Sequence, residues 1–173
     1  MERCHECGFV YEALARTDIA PSLRSLATRY DEVLKKHDPQ ALHAHPLSDV
    51  WSALEYACHM RDVYRVQRER VLLALHDTEP AFAPMRRDER VVEERYNDQP
   101  PPEVAREIHE VAAALAATLE SLDDGAWSRT GIYNYPERCV RTVEWIGRHT
   151  LHEGEHHLRD IDRVVGLAHL HRE

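Results

Sequence analysis

From Arg138 to about Val165 apolar residues return at helical spacing, yet His149, His152, His156 and Arg159 stand near the same face as Val143 and Ile146. A helix with this pattern cannot bury a plain apolar stripe. Each imidazole taken out of water needs a hydrogen-bond partner or a metal ion. The stretch W-I-G-R-H-T-L-H-E-G-E-H-H-L-R-D-I-D-R, from Trp145 to Arg163, sets His152 and His156 four residues apart. On a helix they lie about 40° apart, so both rings can converge on one ion. Thirteen histidines in 173 residues yield about one such pair by chance, so the spacing permits a site without demonstrating one. His157 turns about 100° away from His156 and reads as a structural or surface residue, while His149 can touch a pocket.

Three further segments carry the same periodicity. The first helix runs from about Asp18 to His37, with Leu23, Leu26, Tyr30, Val33 and Leu34 as its stripe. The second begins with Ser48 as its N-cap and runs to His76, with Trp51, Leu54, Cys58, Val66, Leu72 and Leu73 as core positions. The third follows the prolines at 100 to 102 and carries Val104, Ile108, Val111, Leu115, Leu119 and Leu122, stopping at Asp123-Asp124-Gly125. His109 reads as exposed. Four long helical patterns and no convincing strand run predict an all-α four-helix bundle.

The links carry their own signals. His43 and His45 lie in an irregular, proline-containing stretch and read as solvated side chains. The segment between Asp77 and Pro102 is too long for an ordinary bundle connection. Phe82, Met85 and Tyr96 can anchor it, and R-R-D-E-R-V-V-E-E-R can form a short helix, either on the surface or as a pocket rim. After the third helix, Trp127, Tyr133 and Tyr135 break the helical rhythm and either cap the bundle or line a pocket.

Charge narrows the function classes. With 22 basic and 31 acidic residues the net charge is −9, which repels nucleic-acid phosphate and anionic lipid alike. The sequence has neither a membrane-span-length apolar run nor a signal-peptide hydrophobic region, so a cytoplasmic chain is expected, binding neither nucleic acid nor membrane. Cys4, Cys7, Cys58 and Cys139 lack the density of a secreted disulfide scaffold and read as thiols or ligands. In R-C-H-E-C-G-F, Cys4 and Cys7 form a C-x-x-C before Gly8. This is half of a zinc knuckle, whose remaining ligands must come from Cys58, Cys139, His43 or His45, or else an unmetallated turn.

Bundle interiors hold metal sites built from facing helices. His59, in the middle of the second helix and flanked by Glu55 and Asp62 on nearly the same face, can join His152 and His156 if the second and fourth helices face each other. Three imidazoles leave open positions, the form of a catalytic site. Glu55 is the candidate base, or a carboxylate that orients an imidazole; Asp160, one turn past His156, can hold that ring. Arg61, Arg141, Arg148 and Arg159 offer cations, most of them on ion-paired surfaces.

The segments W-S-A-L-E-Y-A-C-H-M-R-D at 51 to 62 and H-T-L-H-E-G-E-H-H-L-R-D-I at 149 to 161 resemble the DinB-like superfamily, which includes mycothiol-dependent and bacillithiol-related transferases. The resemblance implies a bundle domain over residues 16–173, with a long crossover between the second and third helices. Residues 1–15 form an N-terminal CxxC extension outside the common family pattern. It also implies a divalent metal on His59, His152 and His156, zinc first with nickel or iron as alternatives, and Cys4 and Cys7 stand as candidates for a second metal site. A low-molecular-weight thiol such as mycothiol is the expected co-substrate. The expected activity is metal-dependent thiol S-transfer to a small electrophile; the alternatives are hydrolysis or non-catalytic metal binding in a stress response, and a homodimer through exposed bundle faces is compatible with each.

Overall fold

The computed structural model describes residues 2–134 and 137–170, for 169 and 170 the backbone only. Its elements are α1 (Arg16–Lys36), α2 (Pro39–His43), α3 (Ala53–His76), α4 (Arg87–Glu93), α5 (Pro101–Glu120), α6 (Asp124–Trp127), β1 (Thr130–Tyr133), β2 (Cys139–Thr142) and α7 (Val143–Leu170). The four long helices α1, α3, α5 and α7 form an all-α bundle. Helix α1 packs on α5 and α7, and α3 packs on the same two. Successive long helices α1 and α3 therefore stand diagonally opposite.

The apolar stripes explain this packing. Helix α1 buries Ile19, Leu23, Leu26, Tyr30 and Leu34, and α5 buries Val104, Ile108, Leu115 and Leu119. Helix α7 reaches α1 closely because Gly154 has no side chain: a Cβ there would come within 2.2 Å of Leu26 Cδ2. The Tyr30 hydroxyl donates to the Gly154 carbonyl at 2.9 Å, so the contact is also hydrogen-bonded. Tyr64 donates to Leu23 O at 3.3 Å, joining the diagonal helices through one buried phenol.

Several boundaries differ from those read in the sequence. Helix α3 starts at Ala53, because Ser52, not Ser48, is its cap: the Ser52 side chain accepts from Glu55 N, and Glu55 Oε2 accepts from Ser52 N at 2.8 Å. Such a box satisfies two otherwise orphaned amides. Within α3, Leu54 and Cys58 are fully buried as expected, but near its C-terminal end Leu72 and Leu73 are 41% and 38% exposed while Val71 and Ala74 are fully buried, so there the core positions are not the expected ones. Residues 138–142 do not open the last helix. Cys139–Thr142 pairs antiparallel with Thr130–Tyr133, a hairpin the helical reading missed. Helix α7 then starts at Val143 and passes through Gly166, where it was expected to stop.

The crossover from α3 to α5 is tied down at both ends. Phe82 N donates to Ile132 O and Ile132 N donates to Pro80 O, each at 2.8 Å, so the crossover borders the hairpin. Phe82 and Tyr96 are buried as expected, and α4 forms where the charged run predicts a short helix. Tyr96 donates its hydroxyl to the Asp62 carboxylate, which also faces Arg61 Nε at 2.9 Å. Arg61 in turn reaches Glu107 at 3.0 Å. Burial alone would raise Asp62, but the hydrogen bonds from Arg61 and Tyr96 and the nearby guanidinium charges outweigh it and hold its carboxyl below the ordinary value.

Candidate metal centre

Helix α7 presents five potential ligands in two turns, His149, His152, Glu153, His156 and His157, and two other parts of the chain meet it. Helix α3 brings His59 against Glu153 and His157. The N-terminal segment brings Cys4 and Cys7 against His152 and His156. In each set the ligand atoms lie within 4.8 Å of one another, and a third set, His149, His152 and Glu153, shares a member with each. Among the described residues, no set unites His59 with both His152 and His156. The three expected ligands are thus divided between neighbouring clusters. His157, read as structural or surface, is buried and faces His59 with ring centroids 5.0 Å apart. The turn of about 100° that takes it away from His156 carries it toward α3.

The inner cluster has the features of a ligand set. His59 Nδ1 is buried without a hydrogen-bond partner among the described residues. Burial, with the neighbouring His157 adding to it, pushes His59 down to about 3, so the ring stays neutral and able to donate its lone pair. His157 Nε2 lies 3.7 Å from Glu153 Oε2, and its Nδ1 lies 3.0 Å from Asp160 Oδ2. Burial opposes charge on His157, but the carboxylates of Asp160 and Glu153 outweigh it and raise its pKa. Burial likewise opposes the charge on Glu153, yet His157, His149 and His152 hold its carboxyl well below the ordinary range. The carboxylate behind His157 is the arrangement that fixes the tautomer and orientation of a metal-bound imidazole. Asp160 lies nearer His157 than His156, whose Nε2 is 3.8 Å away. Two imidazoles and a carboxylate suit zinc or iron and leave positions open. The orphaned His59 nitrogen is the observation that makes this cluster fit a cation.

A cavity of about 680 Å³ opens beside the cluster. His59, His149 and Glu153 lie at its wall, with Tyr133 and Arg141 from the hairpin and residues 82–89 from the crossover. The crossover is therefore a pocket rim, and Tyr133 is a lining residue whose hydroxyl donates to Gln67 Oε1 at 2.7 Å. Trp127 is buried, and Tyr135 lies outside the described residues. Two cavity arginines, Arg70 and Arg141, have Nε atoms that are buried without a partner among the described residues. Arg70 lies 4.7 Å over the Tyr133 ring and Arg141 4.5 Å over Trp145, which holds both guanidinium planes in place.

The other expected residues fall elsewhere. Glu55 belongs to no cluster; its Oε2 is taken by Ser52 N and by His45 Nε2 at 2.7 Å. His43 Nδ1 sits 2.7 Å from Asn97 O rather than in solvent. Arg61 is buried in its ion network, Arg148 donates to Leu14 O, and Arg159 is exposed. Cys58 is core, its thiol pushed up to about 12 by burial. Glu153, which the sequence does not single out, and His157, read as structural or surface, carry a usable signal: they are four apart, as are His152 and His156.

The sequence matches the DinB superfamily over residues 22–161, and the chain belongs to that family. Among solved structures it is similar to YfiT from Bacillus subtilis, described as a probable metal-dependent hydrolase with an unusual four-helix bundle topology. The TM-score is 0.80 at 16% identity, covering 94% of this chain and 91% of that one. It is also similar to a mycothiol-dependent maleylpyruvate isomerase, with TM-score 0.71 at 15% identity over 88% of this chain, and to a histidine-to-alanine variant of that enzyme at 14% identity. The match spans 63% of the isomerase. At these identities the likeness is one of fold. No curated protein matches the sequence. Among the described residues no helix is long and apolar enough to cross a membrane.

Proposed function

We propose that this chain is a metal-dependent enzyme that joins a low-molecular-weight thiol, such as mycothiol, to a small anionic electrophile, with His59, Glu153 and His157 holding the cation. The reading rests on one observation above the others: a buried, unpartnered imidazole nitrogen at the wall of a cavity, beside a carboxylate and a second, carboxylate-backed imidazole. A divalent cation there, zinc first with iron or nickel as alternatives, supplies Lewis acidity that keeps a bound thiol in its nucleophilic thiolate form. The chain's own groups do the rest. Asp160 fixes the His157 ring, Arg70 and Arg141 place positive charge at the cavity wall for a carboxylate on the substrate, and Tyr133 and Trp145 give the cavity an apolar wall. Free thiols at Cys4, Cys7, Cys58 and Cys139 suit a reducing compartment such as the cytoplasm.

A hydrolase is the second reading, favoured by the nearly full-length likeness to YfiT and by a two-histidine, one-carboxylate set of the kind that activates water. The test compares wild type with H59A and H157A for metal content and for turnover of carboxylate-bearing electrophiles, with a panel of thiols and with water alone. Metal-dependent, thiol-dependent turnover supports transfer. Turnover without thiol supports hydrolysis, and metal binding without either supports a non-catalytic role.

A further inference from the structure

We infer that Cys4, Cys7, His152 and His156 form a second, closed zinc site that fastens the N-terminal segment to α7. The site shares no ligand with the His59, Glu153 and His157 set, so it stands or falls independently of the proposed activity. Its first half is a preformed knuckle. Gly8 N donates to Cys4 O and Cys4 N to Phe9 O, each at 2.9 Å, and Gly8 takes φ +76°, which a side chain would strain. An antiparallel bridge between Arg3 and Val10 closes the turn. This backbone brings Cys4 and Cys7 together in one turn, Cys7 buried and Cys4 partly so.

The second half comes from α7, where both imidazoles are oriented for donation. Tyr11 Oη lies 2.9 Å from His152 Nδ1, and His152 Nε2 is buried without a partner among the described residues. His156 turns Nδ1 toward Cys4 Sγ at 3.9 Å, while its Nε2 faces Glu6 Oε2 at 3.3 Å. His152 therefore has Nδ1 held from behind and Nε2 unpartnered, while His156 has Nε2 facing Glu6 and Nδ1 against the Cys4 thiol, so one nitrogen of each ring is oriented by a neighbour, as behind metal-ligating histidines. With Zn–S about 2.3 Å and Zn–N about 2.0–2.1 Å, tetrahedral ligand atoms stand roughly 3.3–3.8 Å apart. The four atoms here, within 4.8 Å of one another, need only a modest contraction. Two thiolates and two imidazoles select zinc over hard cations, and four protein ligands leave no open position, so the site is structural. Zinc binding releases the two thiol protons to solvent.

The staple has a consequence for the cavity. Tyr11, seven residues past Cys4, lines it together with Glu2, and stacks on Trp145 at 5.8 Å. Anchoring the knuckle on α7 fixes that wall.

Cobalt titration of the full-length, metal-depleted, reduced chain tests the site. A thiolate-to-cobalt charge-transfer absorption is expected in wild type, kept in H59A and in C58S/C139S, and lost in C4S/C7S. Its absence from wild type, or its survival in C4S/C7S, overturns the site. A second measurement needs no variant: alkylation of wild type with and without added zinc, followed by peptide mass analysis. Zinc is expected to protect Cys4 and Cys7 while leaving Cys139 unprotected. Equal labelling of Cys4 and Cys7 with and without zinc, or a Cys4–Cys7 disulfide persisting under reductant, overturns the proposal.

Discussion

His157 Nδ1 lies 3.0 Å from an oxygen of Asp160, one turn further along the same helix. Asp160 thereby turns the other ring nitrogen toward Glu153 and His59, and makes His157 a better donor. Replacing it by asparagine keeps the shape but weakens the acceptor. The expected result for D160N is about a 10–100-fold loss of zinc affinity at the inner cluster, read by competition with a chromogenic chelator in the C4S/C7S background. Unchanged affinity there would mean that His157 is not a ligand.

The acid limb of stability should carry the signature of Asp62. Its carboxyl is held below the ordinary value in the fold, so its contribution is complete above the unfolded pKa and fades as pH falls through the depressed folded one. Urea unfolding from pH 7 to about pH 3 should show stability falling with acid in wild type and a shallower fall in D62N. Removing the side chain altogether, in D62A, leaves Arg61 buried without its closest carboxylate and is expected to cost about 3–5 kcal/mol at pH 7.

Glu55 separates a cap from a catalyst. Both its hydrogen bonds serve the start of α3. E55A is therefore expected to lower stability by about 0.5–2 kcal/mol and to leave metal content unchanged. Thermal unfolding and metal analysis check this together. A variant with native stability and abolished turnover would assign the carboxylate to the chemistry instead.

Gly154 offers a packing test. An alanine there would press into Leu26, and G154A is expected to cost about 1–3 kcal/mol by overpacking. Shortening Leu26 should relieve the clash, so the double variant G154A/L26A should lose less than the sum of the single changes. Strict additivity would show that α7 and α1 do not touch as described.

Much of this architecture was legible in the sequence because periodicity reports burial. The stripes of α1 and α5 fall where spacing puts them, and His59 lies on α3 facing α7. The candidate metal centre was legible only as a region. Counting histidine pairs favours His152 with His156, but a carboxylate four residues before His157 is an equally good pair, and only the rotation of α7 against α3 decides which pair points inward. The hairpin escaped because Thr130–Tyr133 and Cys139–Thr142 are four-residue strands, too short for an alternating pattern to stand out. The CxxC was visible as half a site, but its partners on α7 lie some 150 positions away, which a local pattern cannot reach.

The diagonal placement of α1 and α3 bears on how the chain acquires its native state. Helix α1 packs on α5 and α7 rather than on α3, the next long helix, so the pairings that bury its stripe wait for the second half of the chain and require large loops to close first. Two of the three candidate sets join residues of α7 to a group from far earlier in the chain, and Cys4 and His156 are 152 positions apart. A cation held by either of these sets would be captured late in folding, a latch on an assembled bundle rather than a seed for it.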